Sequence, residues 1–387
     1  MNKYFLTEEQ ENFRNKVRDF ALTELAPHVS ELDQNDRPFP AELMRKAAEI
    51  GLLGITMPKE YGGLGADTIS QMIAIEELHR VSPGFAQCIQ GHAGLASILL
   101  HLAGTDEQKK KWLIPAVKGE NFCSFALTEK DAGSDSAAIQ TTAVLDGDEW
   151  VLNGSKRWIA NFNAGGFFVV AAKTDMQAKA SRSISMFCVD ASAPGLKLSE
   201  AYRKLGCRAS PCGTLEFENC RIPRDCLIGE QNRGFPMMMQ GIDIGRLGIA
   251  AAAIGIAQEA YTRSVAYAKQ RVQFGKPICE QQVIAFYLAE MAMEIDIART
   301  MLYRASRLRD MGMDYSSEAA AVKVFATEMG VRTAEKAIQI HGGNGYSEEY
   351  VVEMLWRDAK LMTLGEGTTE ICKLVLSRQC LKGNYGE

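Results

Sequence analysis

The sequence predicts an α+β multidomain protein in which a β domain separates two α-helical domains. Two changes of hydrophobic spacing predict this order. Apolar residues recur at helical intervals up to about residue 119, alternate in short strand-like runs over about the next hundred residues, and return to helical intervals after residue 234. We place the domains at residues 1–121, 122–230 and 231–387. A chain of 387 residues is long enough for two or three packed units.

Two capping boxes mark helix starts in the first domain. In each, a threonine is followed three residues later by a glutamine, at Thr7 and Gln10 and again at Thr105 and Gln108. Pro27 is expected to end the first helix, because proline cannot continue a helical hydrogen-bond ladder. The apolar spacing predicts further helices at residues 42–49, 68–80 and 94–102.

The central and C-terminal domains differ in the length of their predicted elements. Residues 142–145 and 150–152 flank an Asp-Gly pair and predict a β-hairpin. Further short strands are predicted at residues 167–172, 184–189 and 215–218. After residue 234, apolar residues mark one face of long helices over 284–302 and 317–340. Such helices, joined by short glycine-bearing loops, indicate a bundle.

Composition excludes several classes of partner and site. A net charge of −5 gives no electrostatic reason to expect nucleic acid or an anionic membrane. The longest apolar run, 247–257, is shorter than the roughly 20 residues of a membrane span, and no presequence pattern is present, so we expect a cytoplasmic protein. The ten cysteines lack framework spacing, as in a reducing compartment. Four of them lack the spacing of a zinc site, which favours small buried side chains over a metal site: Cys207, Cys212, Cys220 and Cys226.

Glu366 is the strongest candidate for a catalytic group. It lies between Gly365 and Gly367, which allow backbone and ligand to approach closely. In an apolar pocket its carboxylate would have a raised pKa and act as a general base. A helix N-terminal turn capped by Thr368 or Thr369 explains the same residues, and is favoured when this stretch is taken alone.

Two stretches of the central domain have both a binding and a structural interpretation. Residues 126–135 form a glycine turn whose hydroxyls and amides could bind ring edges or phosphates; alternatively this is a polar turn with Asp135 as a cap. In residues 156–161, Trp158 offers a flat wall for a planar cofactor, although a buried core tryptophan is commoner.

Two stretches of the bundle are similarly open. Residues 271–277 join two long helices, and Arg271 suits either pyrophosphate recognition or the dipole of a helix end. The glycines of residues 339–346 permit a close approach to a ligand, or form an ordinary glycine C-cap.

Taken together, these stretches resemble the acyl-CoA dehydrogenase family of flavoproteins over essentially the whole chain. The motifs ALTEKDAGSD, QFGKP, QIHGGNGY and RDAK…GEGTTEI occur in the family's order and spacing. The resemblance implies the acyl-CoA dehydrogenase fold, with a central β-barrel-like domain and a C-terminal four-helix bundle. It also implies a homotetramer (a dimer of dimers), with FAD between the β domain and the bundle and completed by a neighbouring subunit.

The resemblance further implies roles for individual residues. Glu366 matches the catalytic base. The residues matching FAD-binding positions are Phe125, Leu127, Thr128, Ser134, Trp158, Ala160, Arg271, Gln273, Phe274, Gln282, Gln339, Gly343, Thr368 and Glu370. Those matching acyl-CoA positions are Ser134, Gln90, Asp243, Arg246 and Gly367, and no metal is implied.

The chain departs from the family pattern at three positions. Some members carry the base one residue before the arginine that matches Arg246, but here that position is Gly245, so Glu366 is the only matching carboxylate. Gly365 replaces a common tyrosine and leaves more room beside the pocket. Ala160 stands where serine or threonine usually donates to the flavin ring, so one hydrogen bond should be missing and the flavin potential is expected to shift.

The helix expected at the far end of the acyl pocket is polar. Gln87, Gln90 and His92 either point to solvent and cap neighbours, or face the cavity and favour a short, cyclic, aryl or polar acyl group. Ala86 matches the position of an arginine in glutaryl-type members, which argues against a dicarboxylic substrate.

The resulting prediction is α,β-dehydrogenation of a short or medium acyl-CoA to the 2,3-enoyl-CoA. Glu366 would remove the α-proton while a hydride passes to flavin N5, and an electron-transfer flavoprotein would accept the electrons. Alternatives are an enoyl-CoA reductase or an acyl-CoA oxidase on the same site. A catalytically silent flavoprotein scaffold is a third alternative, which the presence of Glu366 and of every flavin stretch disfavours.

Overall fold

The computed structural model describes residues 6–383 and residue 385. Its N-terminal part is helical, and both capping boxes form: the Thr7 hydroxyl accepts the Gln10 N–H at 3.2 Å, and the Gln10 side chain accepts the Thr7 N–H at 3.0 Å. The α-helices are α1 (Glu8–Phe20), α2 (Val29–Gln34), α3 (Ala41–Glu49), α4 (Thr68–Val81), α5 (Pro83–Gly91), α6 (Ser97–Ala103), α7 (Asp106–Gln108) and α8 (Ile114–Val117).

Pro27 does not end the helical path, contrary to expectation. The chain continues through a π-helical turn, Ala21–Leu25, and a 3₁₀ turn, Ala26–His28, into α2. Pro27 lies in the first turn of the 3₁₀ segment, where its missing N–H would have no helical partner in any case. A second π-helical turn, His92–Ala96, precedes α6. The helix predicted from residue 94 therefore begins as an irregular continuation of α5.

The central part is a mixed eight-stranded sheet. Its strands are β1 (Cys123–Ala126), β2 (Thr142–Asp146), β3 (Glu149–Ala160), β4 (Phe167–Lys173), β5 (Ile184–Asp190), β6 (Leu196–Leu198), β7 (Cys212–Pro223) and β8 (Leu227–Ile228). The order is β6-β7-β3-β2-β4-β5-β8, with β1 pairing parallel to β4. The predicted hairpin is β2–β3, in antiparallel register from Asp146 opposite Glu149 to Thr142 opposite Asn153. The register of β3 against β7 shifts twice, the second time between Lys156 and Ile159.

The C-terminal part is built on three long helices. They are α9 (Gly234–Gln270), α10 (Gln282–Asp310) and α11 (Ser316–His341), followed by α12 (Val352–Met362) and α13 (Thr369–Cys380); a small hairpin, β9 (Val272–Gln273) and β10 (Lys276–Pro277), joins α9 to α10. Within the described residues, α9 is the one helix long and apolar enough to cross a membrane. Most of its apolar window is buried inside the protein, as in the core helix of a globular protein.

Helix α9 connects the two helical parts, and its composition explains how. Alanine, glycine and isoleucine cover most of its buried face, so neighbouring helices approach it closely. Ile69, Met72 and Ile73 of α4 share a hydrophobic core with Leu247 and Ile254 of α9. A second core joins the sheet to residues 96–117, and a third lies among the first helices. The segments that follow α4 and α12 are thereby held against one face of α9.

Candidate active site

Glu366 lies on a strained turn between α12 and α13. Its φ of 53° and the φ of 89° at Gly367 are both left-handed, a conformation that a glutamate adopts only when surrounding contacts impose it. Thr368 is the N-cap of α13 and accepts the Ile371 N–H at 3.4 Å. The structural interpretation is therefore correct for Thr368. Glu366 itself precedes the cap, so it does not belong to the first turn of the helix.

The Glu366 carboxylate lies directly over Gly245 of α9. A Cβ atom at residue 245 would be 2.8 Å from Glu366 Oε2, closer than real contacts allow. Residue 245, which the family resemblance implies as an alternative position for the base, and Glu366 thus face the same space. A side chain at 245 and this placement of Glu366 exclude each other.

The Glu366 carboxylate is unpaired among the described residues and has a raised pKa. Its side chain forms no hydrogen bond or ion pair with any residue that the structure describes, and the residue is half-buried. Burial raises its pKa to about 7, although the positive charges of Arg246 and Lys323 lower it. The N–H groups of Glu366 and Gly367 likewise have no partner among the described residues. The turn thus presents a carboxylate and two free donors.

Arg246 is buried beneath this turn. Its Nη1 donates to Asp243 Oδ1 at 2.6 Å, and its Nη2 would be 3.8 Å from a Cβ atom on Gly367. Its Nε has no partner among the described residues. Burial raises the pKa of Asp243, and Arg246 opposes that shift. The structure therefore brings three matched acyl-CoA positions, 243, 246 and 367, together around Glu366.

Lys323 of α11 also lies against the turn that carries Glu366, and the sequence did not single it out. Its ammonium donates to the carbonyl oxygens of Gly367 at 2.7 Å and Thr363 at 3.2 Å. The signal in the sequence is a single lysine within an alanine-rich helical stripe, between Ala319 and Ala326. Such a position faces the core, so a charge there needs a specific partner.

Gln90 approaches the same face of α9 from α5. A Cβ atom on Gly248, one helical turn after Gly245, would be 2.9 Å from Gln90 Nε2. The Oε1 atoms of Gln90 and Gln87 are buried without a described partner, and Gln90 is 5% exposed. Residues three apart on a helix are about 5–6 Å apart. The carboxylate of Glu366 and the amide of Gln90 therefore lie next to each other along the face of α9 that carries Gly245 and Gly248, which we call the groove.

His92 does not face this groove, contrary to one expectation. Its Nε2 donates to the Ala116 carbonyl at 3.1 Å, and its Nδ1 accepts the Cys123 N–H at 3.0 Å. Burial lowers its pKa to about 4, so the ring stays neutral. His92 fixes the start of β1 and has no ring nitrogen left for a ligand.

Trp158 on β3 is an exposed aromatic surface, not a core residue. It is 58% exposed and has a φ of 61°, at the register shift of β3. Its ring centroid lies 4.6 Å from that of Tyr202 at 53°. Ala160 lies two residues later, where its Cβ is 3.6 Å from a Cβ built on Gly91 of α5. This end of β3 therefore lies beside the helix that carries Gln90.

A buried ion pair fixes the loop after β1. Lys156 is buried and donates to Glu129 Oε1 at 2.7 Å and to the Leu127 carbonyl at 3.0 Å. Phe125, Leu127 and Thr128 are half-buried, and the Thr128 hydroxyl makes no described hydrogen bond. Farther along the loop, Ser134 is exposed. The neighbouring Asp135 occupies the N-cap position of the 3₁₀ turn Ser136–Ala138, but its side chain makes no capping hydrogen bond, so the alternative of a capping aspartate side chain is wrong.

The remaining matched positions lie on the exposed surface of the bundle. Phe274, at the tip of the β9–β10 hairpin, is 94% exposed with a φ of 53°. Gly342 caps α11, as the structural interpretation required, and nothing lies within 4 Å of a Cβ atom built on it or on Gly343. The other exposed positions are Arg271, Gln273, Gln282, Gln339 and Glu370. No described hydrogen bond joins any of these residues to the Glu366 side chain.

The cysteines form no metal site in the part of the chain that the structure describes. Cys207, Cys212, Cys220 and Cys226 are free and buried. No group of three or more histidine, cysteine, aspartate or glutamate residues among the described residues could hold a metal ion.

Comparison with known proteins identifies the family. The models of the acyl-CoA dehydrogenase N-terminal, middle and C-terminal domains match residues 7–120, 124–220 and 232–381. The chain is similar to a probable acyl-CoA dehydrogenase, YngJ, of Bacillus subtilis (45% identity over 97% of this chain and 99% of the relative) and to the short-chain specific acyl-CoA dehydrogenase of Clostridium acetobutylicum (42%, 96% and 98%).

A third relative and a solved structure extend the comparison. Subunit CarC of the caffeyl-CoA reductase-Etf complex of Acetobacterium woodii is 38% identical over 98% of this chain and 100% of its own. The structure of butyryl-CoA dehydrogenase from Megasphaera elsdenii superposes with a TM-score of 0.95 at 36% identity, over 97% of this chain and 99% of that one. The chain is an oxidoreductase that acts on acyl-CoA and belongs to the acyl-CoA dehydrogenase family.

Proposed function

We propose that this protein is an FAD-dependent enzyme that dehydrogenates a short acyl-CoA to the 2,3-enoyl-CoA, with Glu366 as the α-proton base. The observation that carries the proposal is the environment of Glu366. Its carboxylate has no partner among the described residues, its pKa is near neutrality, and it lies against Gly245 of α9, one helical turn from Gly248, which Gln90 of α5 approaches. A carboxylate in such a site is held ready for a ligand.

The residues at the matched positions fit a flavin. Trp158 supplies an exposed planar surface, the Thr128 hydroxyl has no hydrogen-bond partner among the described residues, and Phe125 and Leu127 provide apolar contacts. Around Gly342 and Gly343 the backbone is open to a close ligand approach. When bound, FAD supplies the hydride acceptor. Ala160 offers no side-chain hydrogen bond to it, so we expect a flavin potential different from that of relatives with serine or threonine there.

The chain's own groups then account for proton removal. The α-proton of a thioester is weakly acidic, and a carboxylate with a pKa of about 7 is basic enough to accept it while a substantial fraction is ionised and ready at neutral pH. The free N–H groups of Glu366 and Gly367 are available to the thioester carbonyl, where negative charge develops. The buried charge of Arg246 lies beside the same turn. One short turn therefore holds both the base and donors for the charge that the base creates.

The groove favours a short or polar acyl group. Gln90 occupies the space beside Gly248, about one helical turn from Glu366, and its Oε1 has no described partner. A long alkyl chain would cover this polar atom without a hydrogen bond, whereas a hydroxyl group on the acyl chain could pair with it. The names of the short-chain specific and butyryl-CoA relatives agree with a short acyl group.

The same site also suits the reverse reaction. CarC is named for an Etf-linked reductase. A protonated Glu366 would return the α-proton to an enoyl-CoA, since proton transfer follows the same path in both directions. Turnover with enoyl-CoA and a reductant, compared with turnover of acyl-CoA and an acceptor, separates the two directions. The same comparison with oxygen as acceptor tests an oxidase.

Two further features support the predicted partners. Val283, Phe286, Met293 and Ile297 form an exposed apolar stripe along α10, which fits contact with a second copy of the chain in a homotetramer. Phe274 and the neighbouring Gln273 would then reach the FAD of a partner subunit. The Etf-linked relative supports an electron-transfer flavoprotein as electron acceptor.

The decisive experiment is anaerobic reduction of the bound flavin. Purified holoenzyme is mixed with butyryl-, hexanoyl- and arylpropionyl-CoA, and loss of the flavin absorbance is followed. We expect rapid bleaching with at least one short acyl-CoA and slow bleaching with palmitoyl-CoA. An absence of bleaching across the panel, with FAD bound, would contradict the proposal.

A further inference from the structure

Lys323 is an unusual residue for the interior of a helical bundle. It is 0% exposed, yet no carboxylate among the described residues lies within ion-pair distance of its ammonium. A buried ammonium is costly unless hydrogen bonds replace its water, and lysines at such sites are rare without a specific role. Its two described acceptors are both backbone carbonyls of one turn, those of Thr363 and Gly367.

These two carbonyls bracket Glu366. The segment between them passes through left-handed φ values at Glu366 and Gly367, the first of which is unfavourable for a residue with a side chain. Thr363 also accepts the Thr369 N–H at 3.1 Å, which closes the turn from the α13 side. The ammonium of Lys323 therefore ties both ends of the turn to α11. Without that tie, the strained conformation at Glu366 would lose two of the hydrogen bonds that restrain it.

The positive charge of Lys323 also acts on the Glu366 carboxylate. The ionisable groups around the turn are Arg246 on α9, Lys323 on α11, and Glu370 and Cys372 on α13. Of these, Arg246 and Lys323 favour the carboxylate form of Glu366. Arg246 already pairs with Asp243 at 2.6 Å, whereas Lys323 forms no ion pair with an acidic residue in the described part of the chain.

We propose that Lys323 is a positioning residue that holds the left-handed turn in place, aims the Glu366 carboxylate and favours its charged form. It touches neither substrate nor cofactor and acts through Glu366. The inference rests on the proposed role of Glu366 as base. Two separable effects follow, one geometric, through the two hydrogen bonds, and one electrostatic, through the charge.

Three variants separate these effects. Lys323→Met removes both the donors and the charge, Lys323→Gln keeps donors without charge, and Lys323→Arg keeps charge and donors. Lys373→Met is the matched control, because Lys373 on α13 pairs with Glu328 on the exposed surface. Each holoenzyme is measured for flavin content, thermal midpoint, and the pH dependence of flavin reduction by a saturating short acyl-CoA.

We expect Lys323→Gln to raise the apparent pKa of the reductive step by about one unit, which lowers the rate about tenfold near pH 6.5 and restores it near pH 9. Lys323→Met should in addition lower the rate at its pH optimum by about tenfold or more, because the carboxylate is less well placed. Lys323→Arg should recover most of the pH profile, and Lys373→Met should resemble wild type. The carboxyl resonance of Glu366 in ¹³C-labelled protein is identified by its absence in Glu366→Gln. Without substrate, its titration midpoint should lie at a higher pH in Lys323→Gln than in wild type.

The outcomes distinguish this inference from the proposed function. If wild type is reduced by acyl-CoA and Glu366→Gln is not, but Lys323→Gln keeps the wild-type pH profile and carboxyl titration, the inference is wrong while the base assignment stands. If Glu366→Gln retains full activity, the proposed function itself fails. Should Lys323→Met not fold, the Gln and Arg variants still decide the question.

Discussion

Glu366 and Asp358 are eight positions apart in the C-terminal segment, and burial raises the pKa of each to about 7. Asp358 on α12 is 1% exposed and accepts the Cys207 N–H at 2.5 Å, with Arg357 beside it. Glu366 is only half-buried and has no described partner. The pKa alone would therefore select both carboxyls. What distinguishes a base from a structural acid is whether its bonding capacity is already used within the protein.

The two carboxyl groups also differ in how tightly the atoms around them are packed. A Cβ atom added at Gly245 would meet only the end of the flexible Glu366 side chain. A Cβ atom added at Gly206 would meet both the Asp358 carboxyl and the Arg357 backbone. Arg357 in turn pairs with Asp33 at 2.6 Å and Glu353 at 2.7 Å. Asp358 is thus part of a packed junction between the β domain and the bundle. The Glu366 carboxylate, in contrast, has bonding capacity left for a ligand.

The strongest way to break this comparison is to remove each charge in turn. We expect Glu366→Gln to lower the rate of flavin reduction by about 10³-fold or more, within the upper range for loss of a general base, while FAD stays bound. Asp358→Asn keeps a carbonyl acceptor for the Cys207 N–H and should leave the rate within about threefold of wild type. Stopped-flow absorbance of both holoenzymes measures this; equal losses in the two variants would remove the distinction.

Alanine substitutions at Gly245 and Gly206 test the difference between Glu366 and Asp358 through packing. Gly245→Ala should displace the Glu366 carboxylate and lower the rate by about 10²-fold, since a shift of about 1 Å suffices for that, with little change in thermal stability. Gly206→Ala meets rigid backbone 2.6 Å away and should destabilise the protein by about 1–3 kcal/mol while the folded fraction keeps its activity. Urea unfolding and flavin reduction are measured for both. The opposite assignment of effects would contradict the account.

The pH dependence sharpens the comparison further. Because the Glu366 base must be ionised, oxidation of acyl-CoA should fall about tenfold per pH unit below its pKa of about 7, and reduction of enoyl-CoA should fall above it. Asp358 instead affects stability. Its folded pKa of about 7 exceeds the unfolded value, so its contribution to stability is full below about pH 4 and is lost as pH rises through about 7. Asp358→Asn should remove this loss of stability at high pH. If Glu366→Gln left the pH dependence of the rate unchanged, the assignment of Glu366 as the base would be contradicted.

The smallest expected effect concerns a third buried polar group. Gln90, like Glu366, has an atom without a described partner, so it should interact with a ligand and not with the protein. Gln90→Leu should lower kcat/KM for 5-hydroxypentanoyl-CoA relative to pentanoyl-CoA by about three- to tenfold, the value of one hydrogen bond. Gln177→Leu, at an exposed position between β4 and β5, is the control. A preference unaffected by Gln90→Leu would place the acyl chain elsewhere.

Local sequence patterns were enough to predict the order of the three parts and many helix starts. The capping boxes at Thr7 and Thr105 and the β2–β3 hairpin depend on contacts within a few residues, and all three form. Pro27 and Asp135 were misjudged because their roles depend on how the chain continues: a proline is tolerated in a new helical turn, and an aspartate caps only where the backbone presents a free N–H.

The site was predictable in its residues but not in its contacts. Glu366 is recognisable from its flanking glycines and from the family resemblance. That its carboxylate lies on Gly245, more than a hundred residues earlier, requires the packing of α9 against the turn. Lys323 and His92 show the same limit in opposite ways. Lys323 was not singled out and lies beneath the Glu366 turn, whereas His92 was considered for the pocket and instead has both ring nitrogens bonded within the core.

The most direct test of the central claim is exchange of the substrate α-proton with solvent. Holoenzyme is incubated anaerobically in D₂O with a short acyl-CoA, and deuterium at C2 is followed by NMR. The account predicts exchange in wild type that weakens as the pH falls below about 7, and no enzyme-dependent exchange in Glu366→Gln with FAD bound. Exchange at the wild-type rate in Glu366→Gln would show that another group removes the proton.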